Sequence, residues 1–296
     1  MDMPTAVIVF LISVPIAWAI YLAILLQPFT SVPAIAASKE TAAGHRAAAL
    51  WGATFLAYVT AAVWNLLVSR VILKRYMEPR FRWVVFGFAM AAAALGLLVR
   101  KASYANEAAS LSIVVQRHVP VYEVTKVGNA LTAALSVVLA GTCGALMYRR
   151  RRETLNARNL RRRIALAKLS LYSSAALLVI GVVQIYFLND WPANVFSREI
   201  SSDMRQGLHG LAYTAAVVSG ALYSSVLFML YAPVLLTYDK WVSKLAEQAV
   251  ASEPGVDMSK WRETQGLGRS TAGTIAEIGA VVGPWLTAVG VPQLLT

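Results

Sequence analysis

The feature that most constrains this chain is a set of apolar runs of roughly 20 residues that charged residues hardly interrupt. About 20 helical residues cross the ~30 Å hydrocarbon core of a bilayer. The runs show no alternating pattern, so they indicate helices rather than strands of a closed barrel. They lie at residues 5–27, 48–73, 82–100, 127–148, 164–188 and 209–237. The sequence predicts an all-α, polytopic membrane protein with about six transmembrane helices.

Composition agrees with this prediction. Hydrophobic residues make up 58% of the chain and charged residues only 14%, whereas soluble domains carry about 25% charged residues. The first run is long for a signal peptide and no basic residue precedes it, so we expect it to be retained as a span. The single cysteine, Cys143, excludes an intrachain disulfide.

Basic residues predict the orientation of the spans. If residues 74–81, 149–163 and the tail are cytoplasmic, and Arg82 and Lys168 are counted with them, 18 of the 27 lysines and arginines lie inside, eight lie outside, and Arg70 lies within a span. The positive-inside rule then places both termini in the cytoplasm. The run Leu171–Gly181, ahead of Trp191 and Pro192, resembles segments of bacterial multi-pass proteins, without pointing to one family. This resemblance implies a bacterial inner membrane.

The connection at 149–163 is rich in arginine. It serves as a topology signal and is a candidate contact for anionic lipids or for a protein partner. No aromatic residues interleave the arginines, which argues against nucleic acid as a partner. The candidate contact residues are Arg149, Arg150, Arg151, Arg152, Arg161, Arg162 and Arg163.

Neutral polar residues recur at helical spacing inside the spans, whereas all 15 acidic residues lie outside the predicted spans. The lack of an embedded carboxylate argues against a proton- or sodium-coupled carrier. Small polar residues either let helices pack closely or line a narrow pore. The pore-lining candidates are Asn65, Asn129, Thr132, Ser136, Ser174 and Gln184.

The chain divides into a transmembrane domain at 1–238 and a cytoplasmic tail at 239–296. The tail consists of a helical extension of the last span, a flexible linker to about Ser270, and an amphipathic segment at 271–290. Gly283 and Pro284 interrupt that segment, which we expect to be too short to span the membrane. It could lie in the inner interface, pack under the bundle or assemble with other copies. The predicted packing residues are Ile275, Ile278, Val282 and Trp285.

The three histidines, His45, His118 and His209, map to the outer side without the spacing of metal ligands. An outer metal site or a pH sensor remains an alternative for them. The chain lacks the common hydrolase, metalloprotease and nucleotide-binding motifs. The sequence therefore predicts no metal or cofactor and argues against an enzyme more than for one.

Three functions fit these observations. The first is a homo-oligomeric channel or pore with a neutral polar lining and a basic, anion-favouring cytoplasmic vestibule. The second is a non-catalytic sensor, scaffold or accessory subunit that acts through its loops and tail. The third is a lipid-modifying membrane enzyme or an uncoupled carrier. The expected partners are membrane lipids, other copies of the chain, and a protein bound through the tail.

Overall fold

The computed structural model describes residues 42–115, 121–149, 156–195, 201–252, 257–268 and 271–291. These residues form seven helices and no strand, which confirms the prediction of an all-α membrane protein. The helices are α1 (Ala42–Tyr76), α2 (Pro79–Val115), α3 (Val121–Met147), α4 (Ala157–Val195), α5 (Ser202–Ser252), α6 (Met258–Thr264) and α7 (Thr271–Gly290).

Six of these helices are long and apolar enough to cross a membrane. Five of them, α1 to α5, contain most or all of the predicted spans that begin at residues 48, 82, 127, 164 and 209. The sixth is α7, whose 20 helical residues run without a break through Pro284. The expectation that this segment is too short and too interrupted to span is therefore wrong. The first predicted span, 5–27, lies outside the described residues.

Helices α1 to α5 alternate in direction, and their ends meet at two opposite ends of the bundle. We call the end that carries the α3–α4 connection the basic end. There the Tyr148 hydroxyl donates to Glu78 in the α1–α2 turn, at 3.2 Å. The Tyr238 hydroxyl of α5 donates to the Leu146 carbonyl at the end of α3, also at 3.2 Å. At the opposite end, Trp51 of α1 stacks on Trp191 of α4 with 5.6 Å between ring centroids.

Helix α4 lies at the centre of the bundle. It packs against α1, α5 and α7, whereas α3 packs mainly against α2 and α1. Fully buried aliphatic side chains fill the core between them, among them Ile72, Leu146, Leu171 and Leu227. Lipid is as apolar as these side chains, so close packing rather than exclusion from water stabilises the contacts. Helix α4 therefore positions most of the polar groups described below.

Beyond the basic end, α5 continues as one helix to Ser252, and α6 folds back beside it. The Arg262 guanidinium donates to the Ser243 hydroxyl at 3.1 Å, and Leu267 is buried against the core. Asp257 caps α6 through the backbone N–H of Ser259, at 2.8 Å. Gly266 adopts a φ of 63°, which glycine tolerates without strain. The expected flexible linker thus contains a short, capped helix.

Helix α7 runs parallel to α4 and antiparallel to α5. Near its start, Glu277 meets Lys168 of α4, and further along Gly283 lies beside Val179. Its last turn, at Ala288 and Val291, packs in one cluster with Trp51 and Trp191. The end of α7 therefore lies at the end of the bundle opposite to the basic end.

Candidate functional site

The neutral polar residues in the middle of the bundle form one closed cluster, which we call the buried polar cluster. Its members are Asn65 of α1, Ser170, Ser173 and Ser174 of α4, and Tyr231 of α5, all of which are buried. The Asn65 side-chain amide donates to the hydroxyls of Ser174 at 2.8 Å and Ser173 at 3.3 Å.

The same cluster reaches α5. The Ser170 hydroxyl lies 2.7 Å from the Tyr231 hydroxyl, and the Ser174 hydroxyl donates to the Ser170 carbonyl at 2.7 Å. The side chain of Cys143, on α3, is buried in the same core as Tyr231. Hydrogen bonds between side chains of the cluster thus join three helices, α1, α4 and α5. Asn65 and Ser174, two predicted pore-lining residues, use their polar groups inside the protein.

The other pore-lining candidates lie nearer the opposite end and are half-buried. The Thr132 hydroxyl bonds to the Gly128 carbonyl and to the Tyr58 hydroxyl, and Ser136 donates to the Thr132 carbonyl at 2.9 Å. Asn129 has a buried amide nitrogen that meets no acceptor in the described part of the chain. Gln184 is half-buried on α4. The structure therefore does not arrange these residues as one continuous polar surface with Asn65.

The arginine cluster separates into exposed and buried members. Arg149, Arg161 and Arg162 are exposed, and Arg150, Arg151 and Arg152 lie outside the described residues. Arg163 is only 3% exposed. Its guanidinium donates to the Tyr148 carbonyl at 2.7 Å and to the Leu146 carbonyl at 3.2 Å. Arg163 thus satisfies the carbonyl groups at the end of α3 and is not placed to contact lipid headgroups.

Two largely buried carboxylates lie within helices that are apolar enough to span, although both are outside the runs predicted as spans. Glu277 of α7 is 12% exposed, and its carboxylate lies 3.0 Å from the Lys168 ammonium. Asp190 of α4 is 14% exposed and accepts hydrogen bonds from His209 and Asn194. The sequence argued against a proton- or sodium-coupled carrier because no carboxylate was expected in the membrane. These two carboxylates weaken that argument.

The Lys168–Glu277 ion pair and the Asp190–His209 hydrogen bond lie at opposite ends of α4. The 22 residues from Lys168 to Asp190 correspond to ~33 Å of helix, close to the thickness of the hydrocarbon core. This separation is the one expected for two groups near opposite margins of the hydrocarbon core. Of the expected outer histidines, His209 has a defined acidic partner, while His118 lies outside the described residues. Sequence reasoning missed both pairs because their partners are on different helices.

The predicted packing stripe of the tail faces away from the bundle. Ile275, Ile278 and Trp285 are 65%, 58% and 45% exposed, while Pro284 and Ala288 are buried. The prediction assumed an amphipathic helix in water, whose apolar face turns toward the protein core. Beside lipid, large apolar residues can face outward, and small residues allow close contact between helices. Val282 is half-buried between the two faces.

In the described part of the chain, no three His, Cys, Asp or Glu side chains lie close enough together to hold a metal ion. Comparison with protein-family models, with curated proteins and with solved structures finds no match to this chain.

Proposed function

We propose that this helical membrane protein is a non-catalytic module, an accessory or sensory subunit that binds a protein partner at its basic end. The observation that carries the proposal is an ordered helical platform there. We define the inner platform as residues Tyr238–Ser252 of α5 together with α6.

The inner platform extends well beyond the membrane-spanning part. From Tyr238 to Ser252, α5 adds ~21 Å of helix at 1.5 Å per residue. The hydrogen bond from Arg262 to Ser243 joins the two parts of the platform, and Leu267, which follows α6, is buried in the core of the bundle. A preformed surface of this kind loses little conformational entropy when it binds a partner.

The charges on the inner platform favour a protein partner over a lipid surface. Helices that adhere to anionic lipids usually carry lysines and arginines on one face. Exposed lysines on the platform are instead mixed with exposed acids. These residues are Asp239, Lys240, Lys244, Glu247, Lys260 and Glu263.

The interior of the bundle also favours a non-catalytic module rather than a pore formed within one chain. Polar groups that line a pore must face water, whereas Asn65 and Ser174 are buried and hydrogen-bonded to groups of the same chain. A pore between copies of the chain, with its anion-favouring vestibule, stays a prediction, as do self-association and the uncoupled carrier or lipid-modifying enzyme.

Photo-crosslinking in native membranes tests the proposal. A photoreactive residue at Lys244 or Gln248, both exposed on the platform, should give one discrete adduct with a protein partner. The matched control positions are Arg205 and Gln206, which are exposed on the same helix at the opposite end. They should not give that adduct.

A flux assay can contradict the proposal that the protein is an accessory module. Purified protein in liposomes should not conduct Cl⁻, K⁺ or Na⁺ if it is an accessory module. Robust flux of any of these ions, together with no adduct from Lys244 or Gln248, would contradict the proposal and favour the channel.

A further inference from the structure

We propose that α7 is an additional membrane crossing, seated against α4 and α5, so that its end at Gly290 lies on the opposite side of the membrane from the arginine-rich connection. This inference goes beyond the function proposed above and does not depend on it. It replaces the expectation that the tail and the C-terminus are wholly cytoplasmic.

The length and course of α7 match those of a span. Its 20 residues correspond to ~30 Å of helix. It begins near Lys168, close to the basic end of α4, and it finishes beside Trp51 and Trp191 at the opposite end. A helix lying along the inner interface would not contact both ends of the bundle.

The contact with α5 is close enough to require glycine. A Cβ atom at Gly220 would lie 2.6 Å from the Pro284 carbonyl oxygen and 2.7 Å from the Ala288 Cβ atom. Glycine at such positions lets two membrane helices approach closely. Gly220 is near the middle of the sixth predicted span, 209–237, so α7 meets α5 at membrane depth.

The backbone of α7 is also satisfied across this contact. Pro284 has no N–H group and its ring crowds the carbonyl four residues earlier, which disturbs the helical hydrogen bonds nearby. The Ser224 hydroxyl of α5 accepts a hydrogen bond from the Trp285 N–H at 3.2 Å. Neighbouring side chains commonly satisfy disturbed backbone groups around a proline in transmembrane helices.

The one acidic residue of α7 is accommodated by an ionic partner. Glu277 faces α4 and pairs with Lys168, and neither α5 nor α7 brings another charged side chain into this pair among the described contacts. Pairing lowers the cost of placing either charge at the margin of the hydrocarbon. The opposite face of α7 is apolar and exposed, as lipid contact requires.

The positive-inside rule does not oppose this crossing. All five basic residues of the predicted tail, from Lys240 to Arg269, precede α7, and residues 291–296 carry no charge. The same number of basic residues therefore stays on the cytoplasmic side whether α7 crosses or not.

Cysteine labelling in oriented vesicles tests the crossing. One variant carries a cysteine at Gln248 on the inner platform and the other carries one at Thr296. Cys143 is fully buried and is replaced by serine in both. A membrane-impermeant maleimide should label the two sites from opposite sides of the membrane. Labelling of both sites from the same side would overturn the proposal.

A charge swap tests the contact between α7 and α4. Lys168→Glu and Glu277→Lys should each lower the melting temperature in detergent, because each puts two like charges together. The double variant should recover at least half of the loss. Glu263→Lys, at an exposed position of α6, is the matched control and should leave the melting temperature unchanged. Single variants as stable as the parent chain would overturn the proposed pairing.

Discussion

Helices α2 and α7 are the two most peripheral candidate spans, and they are attached to the bundle in different ways. Only 11% of the apolar window of each is buried, compared with 61% for α3. Helix α2 is held by apolar contacts, with Val85 against Gly141 and Gly96 against Ala130. Helix α7 adds polar contacts, the ion pair with Lys168 and the hydrogen bond to Ser224.

The difference concerns how a helix with a charged residue and a proline packs against an apolar bundle. Helix α2 has no acidic residue and no proline within Arg80–Leu97, so shape alone suffices for its packing. Helix α7 carries Glu277 and Pro284, each of which leaves polar groups that lipid cannot satisfy. Partners on α4 and α5 satisfy them. The account therefore predicts that α7 depends on specific partners more than α2 does.

The largest effect is expected from Gly220→Ala. The added methyl group meets the backbone of α7 below 3.0 Å, so α7 must move. We expect a loss of about 3 kcal/mol in the free energy of unfolding, the upper range for overpacking, measured by denaturation in mixed micelles. Gly210→Ala is the control on the same helix, because a Cβ atom there meets nothing within 4 Å. Equal stability of the two variants would show that α7 does not pack on Gly220.

A smaller effect is expected from Gly141→Ala, which disturbs the packing of α2 against α3. The three atoms nearest to the added methyl group all belong to the Val85 side chain, with both of its methyl carbons at 2.8 Å. A side chain can rotate away more readily than a backbone can move, so we expect a loss of about 1.5 kcal/mol. The same denaturation measurement applies, with Gly87→Ala of α2 as the control. A loss larger than that of Gly220→Ala would reverse the comparison between the two helices.

The contrast between these helices also shows what the sequence could predict. The apolar run at 82–100 was sufficient to predict α2 as a span. The apolar residues of α7 predicted a helix but not a span, because Pro284 and Glu277 argue against a span unless their partners are known. Those partners, Ser224 and Lys168, are distant in sequence, and only the tertiary structure brings them together. For the same reason, the sequence did not predict the hydrogen bond from Asn65 to Ser174.

Ser224→Ala should have a modest effect that is specific to α7. It removes the acceptor of the Trp285 N–H, and a hydrogen bond between membrane helices contributes about 0.6 kcal/mol on average. Hydrogen exchange at Trp285 should increase. The adjacent control, Ser225→Ala, removes a hydroxyl that bonds only to Ala221 of its own helix. Unchanged exchange in Ser224→Ala would indicate that α7 does not need this partner.

The smallest effect concerns α6, which leads into α7. Hydrogen bonds from the Ser259 hydroxyl and backbone N–H lower the pKa of Asp257. A lowered pKa means that the charged cap stabilises α6 above the pKa of the unfolded chain, and that this contribution is lost as the pH falls through the folded-state value. Acidification should therefore speed amide exchange in α6. Asp257→Asn, which keeps a capping oxygen, should remove the pH dependence.

The most direct test of the central claim, that α7 lies in the membrane beside α4 and α5, is the environment of a spin label at Leu286. This side chain is exposed on the lipid-facing side of α7. In reconstituted bilayers, the label should collide readily with oxygen, which concentrates in hydrocarbon, and rarely with a water-soluble nickel chelate. A label at Gln248 on the inner platform should show the reverse. High nickel accessibility at Leu286 would contradict the crossing.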